Sequence, residues 1–261
     1  MNYLIIDIGN TNIDFVNFNK LTNKYSNPFT VDTSDILKNR FNNINKKIKN
    51  NFYRGALCSS VVPNAFNKLK KILKKKNINL NEIKDRNIKL PIKIKINKPN
   101  QVGSDRLVNS IAAFKIYKKN SIIIDFGTAT TFDVITKNIY IGGMITPGIN
   151  LSLKVLKEAT AKLPLIKLKK TIKYIGKDTV SAMNNGMYWG YIGLIKELVH
   201  KIIKETKKKY LVIFTGGLAN IFFSSFPFKD KVIDQQITLK GITETLKFNL
   251  KNILWLKVDK S

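Results

Sequence analysis

An apolar run from Tyr3 to Ile6 opens the chain, followed by the polar turn Asp7 to Asn12 and a second strand-like stretch from Ile13 to Phe18, apolar apart from Asp14 and Asn17. This order reads as strand, turn and strand, a hairpin by composition. Residues 32–50 are polar and helical at best. Gly55 to Val62 read as a short buried strand, which Pro63 stops because proline cannot extend a ladder. A helix is expected from about Asn64 to Lys76. After an extended segment around Ile92 to Ile96, apolar residues return at helical spacing from Leu107 to Phe114, which puts Asp105 at a helix N-terminus.

Beyond Lys118 to Asn120 the opening pattern starts again. Ser121 to Ile124 are apolar apart from the serine, Asp125, Phe126 and Gly127 make the turn, and an apolar run resumes at Phe132. Apolar strand, Asp-x-Gly, hydroxyl or amide residues, apolar strand: the unit occurs at Asp7 and again at Asp125, and it implies a duplicated domain. A third glycine turn, Thr215-Gly216-Gly217, follows the apolar strand from Tyr210 to Phe214, where α/β folds place ligands. Between them, Tyr140 to Gly148 leads into a helix for which Asn150 is the expected amide cap. A long amphipathic helix is expected from Met187 to about Thr206.

At 261 residues, with a prior of roughly 100–200 residues per domain, the chain reads as two modest domains, residues 1–119 and 120–261. Its 44% hydrophobic residues exclude a disordered chain. The single cysteine, Cys58, lies in an apolar stretch and reads as a small buried hydrophobe. No run of about 18 apolar residues exists, and no basic leader with a cleavage site precedes the first strand; the expected location is the cytoplasm, away from membranes.

The formal charge of +29 raises nucleic-acid binding. Lysines recur in most segments among many Asn and Ile residues, a pattern of compositional drift more than of a selected patch, so nucleic acid is not the expected main partner. His200, the one histidine, sits among lysines on a helix flank and reads as a surface residue.

The two Asp-x-Gly turns carry the candidate chemistry. A glycine two positions after a strand-terminal aspartate lets backbone N–H groups approach phosphate oxygens, because no Cβ intervenes. Asn10, Thr11 and Asn12 in one turn, and Thr128, Ala129 and Thr130 in the other, surround that approach with short side chains, most of them able to donate. A carboxylate repels phosphate, so the natural role of Asp7 or Asp125 is to hold a cation or its waters. The competing reading of each turn is a plain hairpin. No Gly-x-Gly-x-x-Gly and no complete P-loop occurs, and one histidine leaves no zinc cluster or histidine triad. Gly103-Ser104-Asp105-Arg106 offers a proton acceptor beside a guanidinium fork for an anion, against the alternative that Asp105 only caps its helix.

With these residues in order, the chain resembles the type III pantothenate kinase family over nearly its whole length. Asp7 to Asn12 resembles the first phosphate motif, Ser59 to Pro63 a family core strand, and Gly103 to Arg106 the pantothenate motif. Asp125 to Thr131 is similar to the second phosphate motif, Gly142-Gly143 and Thr146-Pro147-Gly148 to the dimer-interface region, and Ile175 to Thr179 to a segment whose threonine contacts pantothenate. Thr215 to Gly217 resembles the adenosine motif, and Asp234 to Ile242 the closing segment.

The resemblance implies an α/β fold of duplicated actin-like, ribonuclease H-like ATPase domains flanking a nucleotide cleft. It implies ATP-dependent phosphorylation of the primary hydroxyl of pantothenate in a homodimer that requires Mg2+ and a monovalent cation, K+ or NH4+. By the same carry-over Asp105 is the general base, and Gly103, Ser104, Asp105, Arg106 and Thr179 contact pantothenate. ATP falls to Asp7, Ile8, Gly9, Asn10, Thr11, Asn12, Ile13, Asp14, Thr128, Gly216 and Gly217. Asp125 holds the monovalent cation and Asp7 magnesium, through phosphates or water. The family usually has a tyrosine where Ile96 stands, also a substrate position, and an asparagine where Asp178 stands; both departures imply a raised Michaelis constant for pantothenate. Two alternatives remain at this level: a related superfamily kinase acting on another hydroxy acid or sugar, and a non-catalytic basic regulator that binds nucleic acid on the same fold.

Overall fold

The computed structural model describes residues 1–49 and 52–251, which divide into two compact units. The first comprises Met1–Tyr117 together with the segment from Gln236 onward, and the second is Lys118–Gln235.

In the first unit β1 (Asn2–Ile8), β2 (Asn12–Asn19) and β3 (Lys24–Asp32) form an antiparallel meander, and β4 (Ala56–Ser60) and β5 (Leu80–Glu82) extend it in parallel on the other side of β1. The order is β3-β2-β1-β4-β5. Tyr3 to Ile6 are buried without alternation because helices cover both faces of this central strand. On one face α1 (Thr33–Leu37), α2 (Asn42–Lys47) and α3 (Pro63–Lys75) contribute Ile36, Ile44, Ala65, Leu69 and Leu73. Pro63 occupies the first turn of α3, where its missing N–H has no helical partner to lose. The strand β3 was not expected from the sequence. It is exposed along most of its length, and its main anchor is Phe29, stacked on Phe15 of β2 with ring centroids 4.5 Å apart.

A short strand, β6 (Lys93–Ile94), precedes α4 (Ser104–Ala112), which packs with α8 (Ile237–Lys251) on the other face of the sheet. α8 corrects the expected division at residue 119: it follows the second unit in sequence but packs on α4 and β1 of the first. The crossing is made at backbone distance, since a Cβ on Gly241 would lie 1.8 Å from the Val108 carbonyl oxygen. Ile242 and Leu246 are buried on this helix, and Asn249 exchanges two hydrogen bonds with the backbone of Lys89.

The second unit repeats the plan. β7 (Ser121–Phe126), β8 (Ala129–Thr136) and β9 (Ile139–Pro147) form an antiparallel meander, and β10 (Leu211–Gly216) and β11 (Lys231–Ile233) run parallel to β7 on its other side. Order and strand directions match those of the first sheet, so the duplication read from the Asp-x-Gly repeat extends to five strands in each unit. The core joins Phe126, Phe214, Phe222 and Phe226 to Tyr188, Ile192, Ile195 and Val199 of α6 (Thr179–Thr206). α6 starts eight residues before the expected Met187. Asn184, Asn185 and Gly186 are weak helix formers that hide its first turns, and a reciprocal cap between Asp178 and Ser181 compensates for them. The helix α5 (Ile149–Glu158) is capped by Gly148 and not by Asn150. α7 (Ala219–Phe222) completes the unit. Among the described residues no helix is long and apolar enough to cross a membrane.

Candidate active site

Asp7 is the next-to-last residue of β1 and Asp14 stands opposite it on β2. Directly opposed residues of an antiparallel ladder share a face, with Cβ atoms about 5 Å apart, so two carboxylates are presented together. Like charges so placed repel unless something positive intervenes. Thr30 donates to one Asp14 oxygen from β3. The turn between them closes on itself, Gly9 N–H donating to Asn12 O at 2.9 Å. Thr33, buried at the start of α1, pins the turn twice: its N–H donates to Thr11 O at 2.9 Å and its hydroxyl to Gly9 O at 2.7 Å. Asn10, Thr11 and Asn12 remain exposed, while the side chains of Ile8 and Ile13 are in the core and leave only their backbone to a ligand.

β4 lies beside β1 with Ser59 opposite Asp7. One residue on, Ser60 receives α4 through Ser104, whose hydroxyl is buried, accepts from Ser60 N–H at 2.8 Å and donates to Ser60 O at 2.6 Å. Ser59 adds a weaker bond at 3.3 Å. The buried Ser104 side chain is therefore spent on holding the helix. Asp105 stands in the first turn of α4, but Gly103 is the N-cap and no side chain caps the helix. The Asp105 carboxylate instead folds back to accept from Arg106 N–H at 2.8 Å. This position uses the space above Gly103, where a Cβ would come 2.4 Å from Asp105 Oδ1. Gly103 thus clears room for the carboxylate.

Asp7 and Asp105 consequently sit at the carboxyl ends of neighbouring parallel strands, the edge where α/β sheets bind ligands. Glu82 of β5 is half-buried nearby; burial, with the Asp85 carboxylate adding to it, raises its carboxyl above the usual range. Cys58 is fully buried, and burial pushes its thiol well up, which leaves it an inert packing residue. Ile96 is half-buried and has no polar group to offer.

In the second unit Asp125 is the next-to-last residue of β7, opposite Thr131 of β8 and beside Thr215 of β10. The Asp125 turn is one residue shorter, Gly127 N–H donating to Ala129 O at 3.1 Å, and Gly148 N–H pins it through Thr128 O at 3.1 Å. Gly216 packs against Asp125, a Cβ there falling 2.5 Å from Asp125 Oδ1, and Gly217 is exposed next to it. The structure therefore gathers Asp125, Thr128, Gly216 and Gly217 at one sheet edge. Thr179 is the exposed first residue of α6. Asp178 before it is the helix cap: its carboxylate accepts from Ser181 N–H at 2.9 Å, and that bond, with the Ser181 hydroxyl, holds its carboxyl below the usual range. His200 is exposed beside Glu197, 3.7 Å away.

Thr33 is a functional neighbour the sequence reading did not single out, and Gly148, expected only as part of a dimer-interface region, is a second one. Thr33 had no visible place while β3 was unseen, and the pin at Gly148 is a backbone contact that no side-chain motif encodes. Among the described residues no group of three or more His, Cys, Asp or Glu could hold a metal ion by itself.

Residues 3–201 match the model of a family described as type III pantothenate kinase. A type III pantothenate kinase of Pelagibacter ubique is 47% identical over 197 residues, 75% of this chain and 78% of that one. The corresponding protein of a Sulfurihydrogenibium species is 37% identical over 250 residues, 92% and 97% of the two chains. Among solved structures, a Baf family protein from Campylobacter jejuni superposes with a TM-score of 0.64 at 23% identity, covering 95% of this chain and 99% of that one. The ethanolamine utilization protein EutJ from Carboxydothermus hydrogenoformans gives 0.55 at 16%, covering 94% and 90%. At such identities these two likenesses speak for the fold alone.

Proposed function

This chain belongs to the type III pantothenate kinase family, and from that premise we propose how its residues divide the work of ATP-dependent pantothenate phosphorylation, the first step of coenzyme A biosynthesis. The observation that carries the assignment is Asp105, a first-turn carboxylate that is not the N-cap, that folds over Gly103 to accept from Arg106 N–H, and that Ser104 fixes beside the strand bearing Asp7. Asp105 accepts the proton of the pantothenate primary hydroxyl as that oxygen bonds to the γ-phosphorus and the bond to the β–γ bridging oxygen breaks. Phosphoryl transfer depends mostly on positioning and charge stabilisation, so a carboxylate held in place is what the step requires.

Arg106 and the backbone of Gly103 to Asp105 orient pantothenate, and Thr179 contributes a further contact. Ile96 supplies only apolar surface there, which weakens binding and leaves the chemistry intact. Asp178, which directly precedes Thr179, is committed to capping α6. The residues from Asp7 to Asp14 offer backbone N–H groups and the Asn10, Thr11 and Asn12 side chains to the phosphates, and Thr128, Gly216 and Gly217 serve ATP from the second unit.

The opposed carboxylates of Asp7 and Asp14 suit a divalent cation, whereas Asp125, opposite a threonine, suits a monovalent one. Bound with ATP, magnesium at the first and potassium or ammonium at the second would neutralise phosphate charge. The working form is a cytoplasmic homodimer. What supports the dimer is the exposed apolar side chains on the segment before α6, where Ile172, Tyr174 and Ile175 are 83%, 73% and 76% exposed, the kind of surface an interface covers.

ADP release by the purified protein tests the assignment. Turnover should require pantothenate and rise with potassium, and Asp105→Asn should lower kcat by about 10² or more, the usual worth of a general base. A parent protein that releases no pantothenate-dependent ADP with potassium present overturns the reading.

A further inference from the structure

Between β6 and α4 the chain makes a single 3-10 turn, Pro99–Gln101, then the extended residue Val102, then Gly103 and Asp105. Internal bonds hold this connector at its start, Gln101 N–H to Lys98 O at 3.1 Å and Val102 N–H to Pro99 O at 3.3 Å. A turn this short ends with carbonyl groups that no later helical N–H reaches, and such oxygens favour a cation. Lys84, two residues beyond β5, supplies it: Nζ donates to Asn100 O at 2.9 Å and to Val102 O at 3.1 Å. It also faces Glu82, whose charge it partly offsets.

We propose that Lys84 is a positioning residue for phosphoryl transfer, clamping the connector so that Gly103 and the Asp105 carboxylate meet the substrate hydroxyl in a fixed place. The inference rests on the assignment of Asp105 as the base. Ser104 anchors α4 from beneath through Ser60, and Val102 buries its side chain, but neither of these holds the Asn100 and Val102 carbonyls. Lys84 supplies a second, independent point on the opposite side of Gly103 in sequence, and two points fix a direction. Its ammonium touches neither substrate nor the reacting atoms in this account; it acts through the backbone. Methionine has nearly the same length and no donor, so Lys84→Met removes the clamp with little change of shape. Arginine carries donors of similar reach.

The test compares parent, Lys84→Met, Lys84→Arg and Asp105→Asn by ADP release with pantothenate and ATP varied separately, together with thermal melts. Lys84→Met should lower kcat/KM for pantothenate about tenfold, leave KM for ATP within about twofold and shift Tm by no more than about 2 °C, a surface position being tolerant. Lys84→Arg should recover at least half of the lost kcat/KM. Parent-like kinetics in Lys84→Met overturn the clamp, and so does a loss shared equally by both substrates or an arginine variant as impaired as methionine. Asp105→Asn separates the two levels: loss there with parent-like Lys84→Met overturns the clamp alone, whereas full turnover by Asp105→Asn overturns both.

Discussion

At the end of β1, Asp7 stands across the ladder from Asp14; at the end of β7, Asp125 stands across from Thr131. Within each unit the same five-strand arrangement recurs, in the same order and with the same directions, and in each the residue after the third strand turns back to pin the aspartate loop. The means of pinning differ. Thr33 uses a backbone N–H and a hydroxyl on a loop closed by Asn12, whereas Gly148 uses a backbone N–H and close contact on a loop closed one residue sooner by Ala129. Duplication thus preserved the frame and left the charge at each loop to vary, and on that difference rests the proposal of a divalent cation in one half and a monovalent one in the other.

The sharpest way to break the symmetry is at Gly148, where a Cβ would lie 2.2 Å from Thr128 O and 2.5 Å from Gly127 O. Backbone atoms cannot step aside, so Gly148→Ala should cost about 3 kcal/mol, lower Tm by roughly 6 to 12 °C, and abolish turnover by moving the Asp125 loop. The matching change in the first unit should be milder. Thr33→Val keeps the shape and deletes one bond, at about 1–2 kcal/mol, and should raise KM for ATP severalfold with KM for pantothenate little changed; Thr33→Ser should restore both. If the two replacements cost the same, the pins are not the different devices described.

The smallest effect concerns the two acidic residues at helix starts, Asp105 of α4 and Asp178 of α6. Only the second caps its helix. Asp178→Ala should lower Tm less than Thr33→Val does and leave pantothenate turnover within about twofold, as an exposed position allows. Because hydrogen bonds hold the Asp178 carboxyl below its ordinary value, its contribution is present above the ordinary carboxylate range and is lost as pH falls through the lowered value. The Tm gap between parent and variant, measured from pH 7 down to pH 3, should therefore shrink toward acid.

The legible parts were those in which one segment carries its own signal. Tyr3 to Ile6, Ser121 to Asp125 and Ala65 to Leu73 announced strand, strand and helix, and the Asp7 and Asp125 repeat announced the duplication. Illegible parts depend on what lies across the fold. β3 has mostly exposed residues and becomes a strand because β2 offers an edge and Phe15 a ring to stack on. The first turns of α6 contain Asn184, Asn185 and Gly186, and the cap at Asp178, the burial of Asn185 and the Asn184 bonds to the Lys169 backbone help keep them helical. Asp105 could be placed at a helix start from spacing alone. That its carboxylate folds over Gly103 instead of acting as the N-cap, and that Lys84 secures the connector, follow from contacts 16 and 18 residues apart in sequence or from backbone geometry no residue name records.

The return of α8 to the first unit also sets an order of assembly. Residues 118–235 intervene between Tyr117 and the segment that covers α4 and β1. As the chain emerges from the ribosome N-terminus first, the second unit has all of its strands and helices in hand while the first still lacks the one that seals Val108 and its neighbours. The half that is translated first is the half that is finished last, and until then its apolar α4 face is the surface a nascent chain must keep from other partners.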